Sequence, residues 1–316
     1  MTKSPTEALI DLLDSYNSFN AACVDVLQEE PSPLEFMRYV ALNRPFVVRL
    51  GAREWTASQA WSAAYLTRVM RDQRVQVATT PFGNADAVLK DPITCQKIFV
   101  EPLEQYEPFD QVLQYIVAHG RGDIYGPVKY LQTQNDNLRE EYAPLFDDVP
   151  RSIPFARIAL QKDPDAVNFW LGNQTSVTAL HKDNYQNVYA QIRGRKHFIL
   201  LPPVAAPAAA EAALGLARYE QHRPDGTGED FGLRAVLVQP EESVPVPTWN
   251  PFTDKIPPND FGKHIVPLHV TLHEGDMMYL PAMWYHAVRQ STGDEGFSCS
   301  VNYWLVATFG RYGYLS

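Results

Sequence analysis

Apolar residues recur at helical spacing near the start of the chain. This stripe predicts one helix over residues 5–30. Ser32 followed by Pro33 is typical of a helix start and predicts a second, short helix. We interpret residues 1–125 as an N-terminal α/β extension. Its further elements are predicted as a strand over 44–50, a helix over 55–70, a strand over 75–79 and a helix over 108–119.

From about residue 128 the pattern changes to short apolar runs separated by turns. Gly194 and Gly275 lie in two of these turns. Many short strands at this spacing favour a β-barrel or a β-sandwich. The predicted fold class is therefore mainly β with flanking helices, with the strand-rich region over 126–304. Its predicted strands cover 128–132, 165–171, 177–182, 187–192, 197–201, 268–273, 277–280, 285–290 and 298–304.

Two segments of biased composition interrupt the strands. Residues 204–217 are rich in alanine, and residues 223–263 are rich in proline, glycine and glutamate. We interpret the region of about 204–265 as an insertion between two barrel strands, partly loop.

Charge and cysteine content narrow the function classes. The net charge is −10 and the pI is about 5.3, which disfavours direct nucleic-acid binding because that needs clustered Lys and Arg. The three cysteines lie far apart and form no metal-binding pair. No apolar run reaches the roughly 18 residues that cross a bilayer, and no signal-peptide pattern opens the chain. We therefore expect a protein of the cytoplasm or nucleus that does not bind membranes.

The sharpest chemical signal is a histidine and an aspartate two residues apart in a predicted strand. His181 and Asp183 should project to the same face. Alone the pair is weak evidence, since a strand-end histidine bonded to a nearby acid looks the same. His286 lies in another predicted strand. It can complete a ligand set of two imidazoles and one carboxylate on one side of a metal. That is the arrangement of non-haem iron(II) oxygenases, with three positions open for a 2-oxo acid and dioxygen.

Lys196 lies on the strand that returns after His181. A lysine pointing into an apolar barrel is costly unless it meets an anion, which the far carboxylate of a co-substrate would supply. Thr178, Tyr130 and Asn187 offer neutral donors to the same group. The competing interpretation of Lys196 is an exposed turn lysine.

Longer segments place these residues in a pattern that resembles the jumonji-C family. Residues 77–88 and 165–172 are similar to a lysine-hydroxylating subgroup of that family. The resemblance runs over about 34–304 and is weakest across the insertion. The segments that carry the wider family pattern are 43–49, 178–183 with Asn187 and Lys196, 275–286, and Val301-Asn302-Tyr303-Trp304.

The resemblance implies a double-stranded β-helix, a cupin-like jelly-roll barrel with iron(II) inside. It implies 2-oxoglutarate held by Tyr130, Thr178 and Lys196, with Asn187 and Asn302 nearby. It implies dioxygen-dependent hydroxylation of a protein lysine at C3, in a translation-associated GTPase of the developmentally regulated GTP-binding class.

Two alternatives remain open. An N-methyl-lysine demethylase needs the same metal triad, although histone demethylases usually carry extra reader or zinc modules. A cupin-like metal-binding protein without turnover is the other, and an anion anchor at Lys196 argues against it. A peptidase has little support, since neither an HExxH motif nor a nucleophile elbow is present.

Substrate contact and assembly are the last expectations. Tyr185 and Tyr189 are predicted to line an acidic or tyrosine-lined groove at the barrel mouth, although barrel core is the default for a tyrosine such as Tyr189. Residues 305–316 lack the acidic, helix-forming tail that often helps small jumonji-C hydroxylases to dimerise. A homodimer through other surfaces and a shortened or mis-spliced tail both remain open.

Overall fold

The computed structural model describes residues 3–91, 94–222, 231–257 and 259–306. The α-helices are α1 (Pro5–Phe19), α2 (Pro33–Leu42), α3 (Thr56–Ala60), α4 (Ala63–Val69), α5 (Phe109–Arg121), α6 (Pro154–Leu160) and α7 (Ala206–Ala209). The strands are β1 (Asp25–Leu27), β2 (Phe46–Val48), β3 (Arg74–Thr80), β4 (Asn84–Ala85), β5 (Ala87–Lys90), β6 (Lys97–Glu101), β7 (Leu103–Pro108), β8 (Val128–Tyr130), β9 (Ala166–Gly172), β10 (Val177–Lys182), β11 (Tyr185–Arg193), β12 (Arg195–Leu201), β13 (Glu211–Gln221), β14 (Leu233–Leu237), β15 (Ser243–Pro247), β16 (Leu268–Leu272), β17 (Met277–Leu280), β18 (Tyr285–Ser291) and β19 (Ser298–Val306).

The first helices begin where the sequence predicts. Ser4 and Ser32 each accept a hydrogen bond from the backbone N–H of a glutamate three residues on, whose carboxylate caps the serine N–H in return. The predicted end of α1 near residue 30 is wrong. The helix ends at Phe19, because Asn20 is extended and the chain then pairs β1 in parallel with β2. The predicted helix 55–70 is also two helices, with Ser62 capping the second.

Two curled sheets form the barrel. One has the strand order β1-β2-β17-β11-β19-β9 and the other β16-β12-β18-β10-β4. Each predicted strand between residues 128 and 304 is present, with ends displaced by a few residues at most. The predicted cupin-like jelly-roll fold is confirmed.

Alternation along the strands explains how the six-stranded sheet is buried on both faces. On β2, Val47 packs inside the barrel, while Phe46 and Val48 pack outward against the helical layer. On β17, Met278 points inward and Tyr279 outward. Because side chains alternate along a strand, one sheet serves two apolar cores.

The insertion is more regular than its composition predicts. Strands β13, β14 and β15 form a sheet with β5 and β6, a pairing that the interpretation of about 204–265 as an insertion, partly loop, did not include. The pairing is distant in sequence, since Gly215 of β13 lies beside Ile98 of β6 in parallel. This side sheet stands next to the barrel edge at β4. A smaller sheet, β7-β3-β8, continues from the barrel through β8.

Two further observations concern membranes and the C-terminus. None of the described helices is long and apolar enough to span a bilayer. Most of the predicted atypical tail 305–316, from residue 307 onward, lies outside the described residues.

Candidate active site

The three predicted metal ligands converge at one end of the barrel. His181 on β10 and His286 on β18 are direct partners across an antiparallel pair, with ring centroids 4.1 Å apart. Asp183 follows the end of β10, and its carboxylate oxygens lie 4.0 Å from His181 Nε2 and 3.7 Å from His286 Nε2. All three ligand atoms fall within 4.8 Å of one another, slightly wider than the predicted 3–4 Å.

A β-bulge sets the direction of these side chains. Between Thr178 and His181 the register of β10 against β18 shifts, so that three steps on β10 face two steps on β18. Residues three apart on a regular strand point to opposite faces. With the bulge, both Thr178 and His181 line the same pocket.

Backbone carbonyls fix both imidazoles in the orientation that a metal needs. His181 Nδ1 lies 2.8 Å from the carbonyl oxygen of Ala179, and His286 Nδ1 lies 3.1 Å from that of Trp284. A carbonyl only accepts, so Nδ1 carries the proton and Nε2 presents its lone pair. Burial and the neighbouring His181 lower the pKa of His286 to about 4, which keeps it neutral near pH 7. Two neutral imidazoles and a carboxylate fit iron(II) with three open positions.

A pocket enclosing about 430 Å³ extends inward from the triad. Its wall is polar near the ligands and aromatic further in. The side chains that line it include the predicted Tyr130, Thr178, Asn187, Tyr189, Lys196 and Asn302, together with Gln134, Trp170, Phe198, Leu280, Val288 and Trp304.

Lys196 is buried at the inner end of the pocket. Its side chain is 3% exposed, and Nζ donates to the Tyr130 hydroxyl at 2.8 Å. Nζ also lies 5.4–5.7 Å from the ring centroids of Tyr130, Trp170 and Tyr189. No acidic side chain of the described residues forms an ion pair with it. The alternative of an exposed turn lysine is therefore wrong.

This burial has an electrostatic cost that an anion would offset. Loss of solvent lowers the pKa of Lys196 to about 7. Burial likewise raises the pKa of Tyr130 above its ordinary value, although a hydrogen bond with Thr178 opposes this. One ammonium and two hydroxyls at the inner end of the pocket can bind a carboxylate through charge-assisted hydrogen bonds.

Asparagine side chains brace the opposite wall. Trp170 Nε1 donates to Asn302 Oδ1 at 2.7 Å, and Asn302 Nδ2 donates to Asn187 Oδ1 at 3.1 Å. All three side chains line the pocket. The chain of hydrogen bonds holds the indole and both amides in fixed orientations beside the space for a co-substrate.

The two predicted substrate tyrosines lie in different places. The ring of Tyr185 stacks on Trp304 with centroids 4.9 Å apart, and its side chain is partly exposed. Tyr189 is 7% exposed, and its hydroxyl lies 2.6 Å from Ser300 Oγ. The placement of Tyr189 on the wall of the mouth is wrong, because it is beside Lys196 at the inner end. Substrate contact by Tyr185 stays a prediction.

Sequence reasoning missed two polar residues near the site. Gln134 lines the pocket, and Asp86 comes directly after β4 at the edge of the barrel sheet. The position of Asp86 follows from the pairing of β4 with β10, in which Ala85 lies beside Thr178, and Gln134 lies in the loop after β8. A two-residue strand gives no periodic signal that could have shown this.

A barrel with this triad beside a buried cation has the architecture of a metal-dependent oxygenase of the cupin class. A family model described as a cupin-like domain matches residues 31–310. The human bifunctional peptidase and (3S)-lysyl hydroxylase JMJD7 is 37% identical over 92% of this chain and 87% of its own length. The lysine-specific demethylase JMJ32 of Arabidopsis thaliana is 33% identical over 93% of this chain and 85% of its own length. The JmjC domain-containing protein E of Dictyostelium discoideum is 32% identical over 89% of this chain and 84% of its own length.

The chain belongs to the cupin-like JmjC family of 2-oxoglutarate oxygenases. Members of this family generally use iron(II) and 2-oxoglutarate, and His181, Asp183 and His286 form a potential iron-binding triad. Its relatives act on protein substrates, as lysyl hydroxylase or lysine demethylase.

Proposed function

We propose that the chain is an iron(II)- and 2-oxoglutarate-dependent hydroxylase that acts on C3 of a lysine in a protein. The observation that carries the oxygenase part is Lys196, a buried cation without an acidic partner among the described residues, at the far end of the pocket from the triad. A metal site alone has no use for such a group. The choice of lysyl hydroxylation rests on the likeness to the human relative.

Each wall of the pocket has a separate task in this reaction. Iron(II), with dioxygen and 2-oxoglutarate, supplies the oxidation that inserts oxygen into a C–H bond and leaves succinate and carbon dioxide. His181, Asp183 and His286 would hold the metal on one side. Lys196 and Tyr130 would bind the far carboxylate of 2-oxoglutarate.

The remaining side chains orient the co-substrate and exclude water. Asn187 and Asn302 keep amide groups directed at the space between the triad and Lys196. Trp170 and Tyr189 close that space with aromatic surface, and Trp304 covers it on the side of Tyr185. A dry site strengthens the electrostatic contacts inside it and limits unproductive turnover.

The second candidate is an N-methyl-lysine demethylase, which the name of the Arabidopsis relative favours. It uses the same triad and the same anchor, so the residues described above do not separate it from the hydroxylase. The difference is the carbon that is presented to the metal. A cupin-like metal-binding protein without turnover is disfavoured by Lys196. The protein partner that the jumonji-C resemblance suggests is a translation-associated GTPase of the developmentally regulated GTP-binding class, met in the cytoplasm or nucleus.

Intact-mass analysis tests this function directly. Lysine and methyl-lysine peptides, including peptides from such a GTPase, are incubated with the protein, iron(II), 2-oxoglutarate and ascorbate. Gain of one oxygen indicates hydroxylation, and loss of one methylene indicates demethylation. The matched control is the double variant His181→Ala with Asp183→Ala. If neither mass change occurs and 2-oxoglutarate is not consumed, the oxygenase assignment fails.

A further inference from the structure

A second groove opens beside the metal pocket. It encloses about 1350 Å³ with its open mouth, and Gln134 lines both it and the metal pocket. One wall comes from the loop after β8, and the other comes from the side sheet through β6 and β13. The groove is therefore continuous with the place where a substrate side chain has to reach the metal.

Carboxylates dominate this groove. Asp86, Glu101, Glu104 and Glu220 line it, and Arg218 is the one basic side chain among the described residues that do so. Arg218 is already paired with Glu101 at 2.5 Å. Burial and the neighbouring Glu101 raise the pKa of Glu104, although the Arg218 charge and a hydrogen bond from Gln76 oppose this. With four carboxylates and one guanidinium, the groove has an excess of negative charge that a basic ligand could balance.

Asp86 lies at the edge of the barrel sheet that carries His181 and His286. Ala85 pairs with Thr178 of the metal-bearing strand, so the next residue lies at the edge of the pocket. Its backbone is in the left-handed region with φ 53°, which aspartate adopts more readily than most residues and which ends β4 at this point. Its carboxylate is close enough to His181 for their charges to interact.

Asp86 is half-buried, and few donors surround its carboxylate. Gln132 Nε2 donates to its carboxylate at 2.9 Å, and no basic side chain of the described residues forms an ion pair with it. Burial raises the pKa of Asp86 to about 6. A half-buried carboxylate whose one side-chain donor among the described residues is an amide keeps part of the cost of desolvation. It has open acceptor sites toward the groove that a charged donor can fill.

We infer that Asp86 is the specificity residue that accepts the ammonium of the substrate lysine, and that the acidic groove receives basic residues beside it in the substrate. This rests on the proposed lysyl hydroxylation. A short methylene chain separates C3 of lysine from its ammonium, so a lysine held with C3 at the metal places that ammonium near the triad. Asp86 lines the adjoining groove within electrostatic reach of His181, while Asp183 would be engaged as a metal ligand.

The groove chemistry selects an unmethylated ammonium. Such a group donates three hydrogen bonds, whereas a trimethylammonium donates none and is recognised by aromatic cages. Tyr219 is the one aromatic residue among the described side chains that line the groove. Carboxylates with free acceptor sites suit the hydrogen-bonding cation.

Peptide retention on immobilised protein tests the inference without turnover. The protein is loaded with manganese(II) and 2-oxoglutarate and exposed to two peptide pools that carry a central lysine or a central norleucine between uncharged residues. Wild type should retain the lysine pool about tenfold better than the norleucine pool, because one charge-assisted hydrogen bond usually changes affinity by about that factor. Asp86→Asn should remove the preference, and Asp86→Glu should keep part of it. The matched control is Asp11→Asn, a half-exposed acid on α1 paired with Lys3.

The outcomes separate this inference from the proposed function. Equal retention of both pools by wild type overturns the inference without any variant. A lysine preference that survives in folded Asp86→Asn also overturns it, even if lysine peptides gain oxygen in the mass assay. Stronger retention of a trimethyl-lysine pool than of the lysine pool overturns it in favour of demethylation. If Asp86→Asn does not fold, Glu104→Gln with Glu220→Gln should weaken the retention of pools with basic flanking residues, and unchanged retention counts against the groove.

Discussion

The substitution Lys196→Met distinguishes the effect of the buried cation on protein stability from its effect on co-substrate binding. Methionine has a similar length and no charge, so it removes the ammonium and leaves the packing nearly unchanged. Lys196 has its folded-state pKa lowered from 10.5 to about 7. The unfolded chain therefore binds more protons between pH 7 and 10.5, and the wild-type stability should rise with pH across that window.

The magnitude follows from the size of the shift. At about 1.4 kcal/mol for each pKa unit, burying the charged form costs roughly 4 kcal/mol at pH 7. The variant also loses the hydrogen bond to Tyr130, worth about 1 kcal/mol, and leaves that hydroxyl with fewer partners. Without co-substrate, Lys196→Met should be more stable than wild type by about 2–3 kcal/mol at pH 7. The gain should vanish near pH 10, where wild-type Lys196 is neutral when folded.

Co-substrate binding should change in the opposite direction. A charge-assisted hydrogen bond is worth about 1.5–3 kcal/mol, so the KM for 2-oxoglutarate should rise roughly tenfold to a hundredfold in the variant. When 2-oxoglutarate is present at a hundredfold excess over its Kd, wild type should gain about 3 kcal/mol of stability. The variant should gain little under the same conditions.

Denaturant titrations at several pH values, with and without manganese(II) and 2-oxoglutarate, measure both effects. Lys162→Met, at a partly exposed lysine paired with Asp165, is the control and should show neither. A variant that is less stable than wild type at pH 7, or that keeps the co-substrate shift, refutes the reasoning.

Three further predictions concern the metal, a turn and a buried acid. His181→Ala with Asp183→Ala should abolish manganese(II) binding measured by calorimetry, with an unchanged far-ultraviolet spectrum. Gly83→Ala should cost about 2 kcal/mol or more by denaturant unfolding, because an added Cβ would lie 1.9 Å from the Thr175 carbonyl oxygen and the glycine has φ 76°. Asp276→Ala should cost about 3–5 kcal/mol, since this buried carboxylate pairs with an arginine and accepts two backbone N–H bonds; a loss below 1 kcal/mol would contradict the pairing.

Local pattern was sufficient for the barrel and for the metal ligands. The two-residue spacing of His181 and Asp183 predicted a shared face, and the segments that carry His181 and His286 were both predicted as strands. The burial of Lys196 was also predictable, since Phe198 and Leu200 follow it on the same face of β12. The resemblance to the jumonji-C family added the identity of the anion that Lys196 would bind, the far carboxylate of 2-oxoglutarate.

Distant pairing explains most of the errors. The side sheet joins β6 and β13 across more than a hundred residues, and its strands are half-exposed, so neither composition nor period distinguishes them from loop. The end of α1 at Phe19 is determined by the need of β1 to reach β2. Tyr189 was assigned to the mouth because nearness in sequence to Asp183 was taken for nearness in space, whereas β11 runs from the mouth to the inner end.

The bulge between Thr178 and His181 has a consequence for how such a site is recognised in a sequence. Strict alternation puts residues on one face at even spacings, so a spacing of three would assign the threonine and the histidine to opposite faces. The extra residue in the bulge cancels that difference, and both side chains line one pocket. A search that pairs inward-facing residues by even spacing alone would therefore miss this combination of co-substrate anchor and metal ligand.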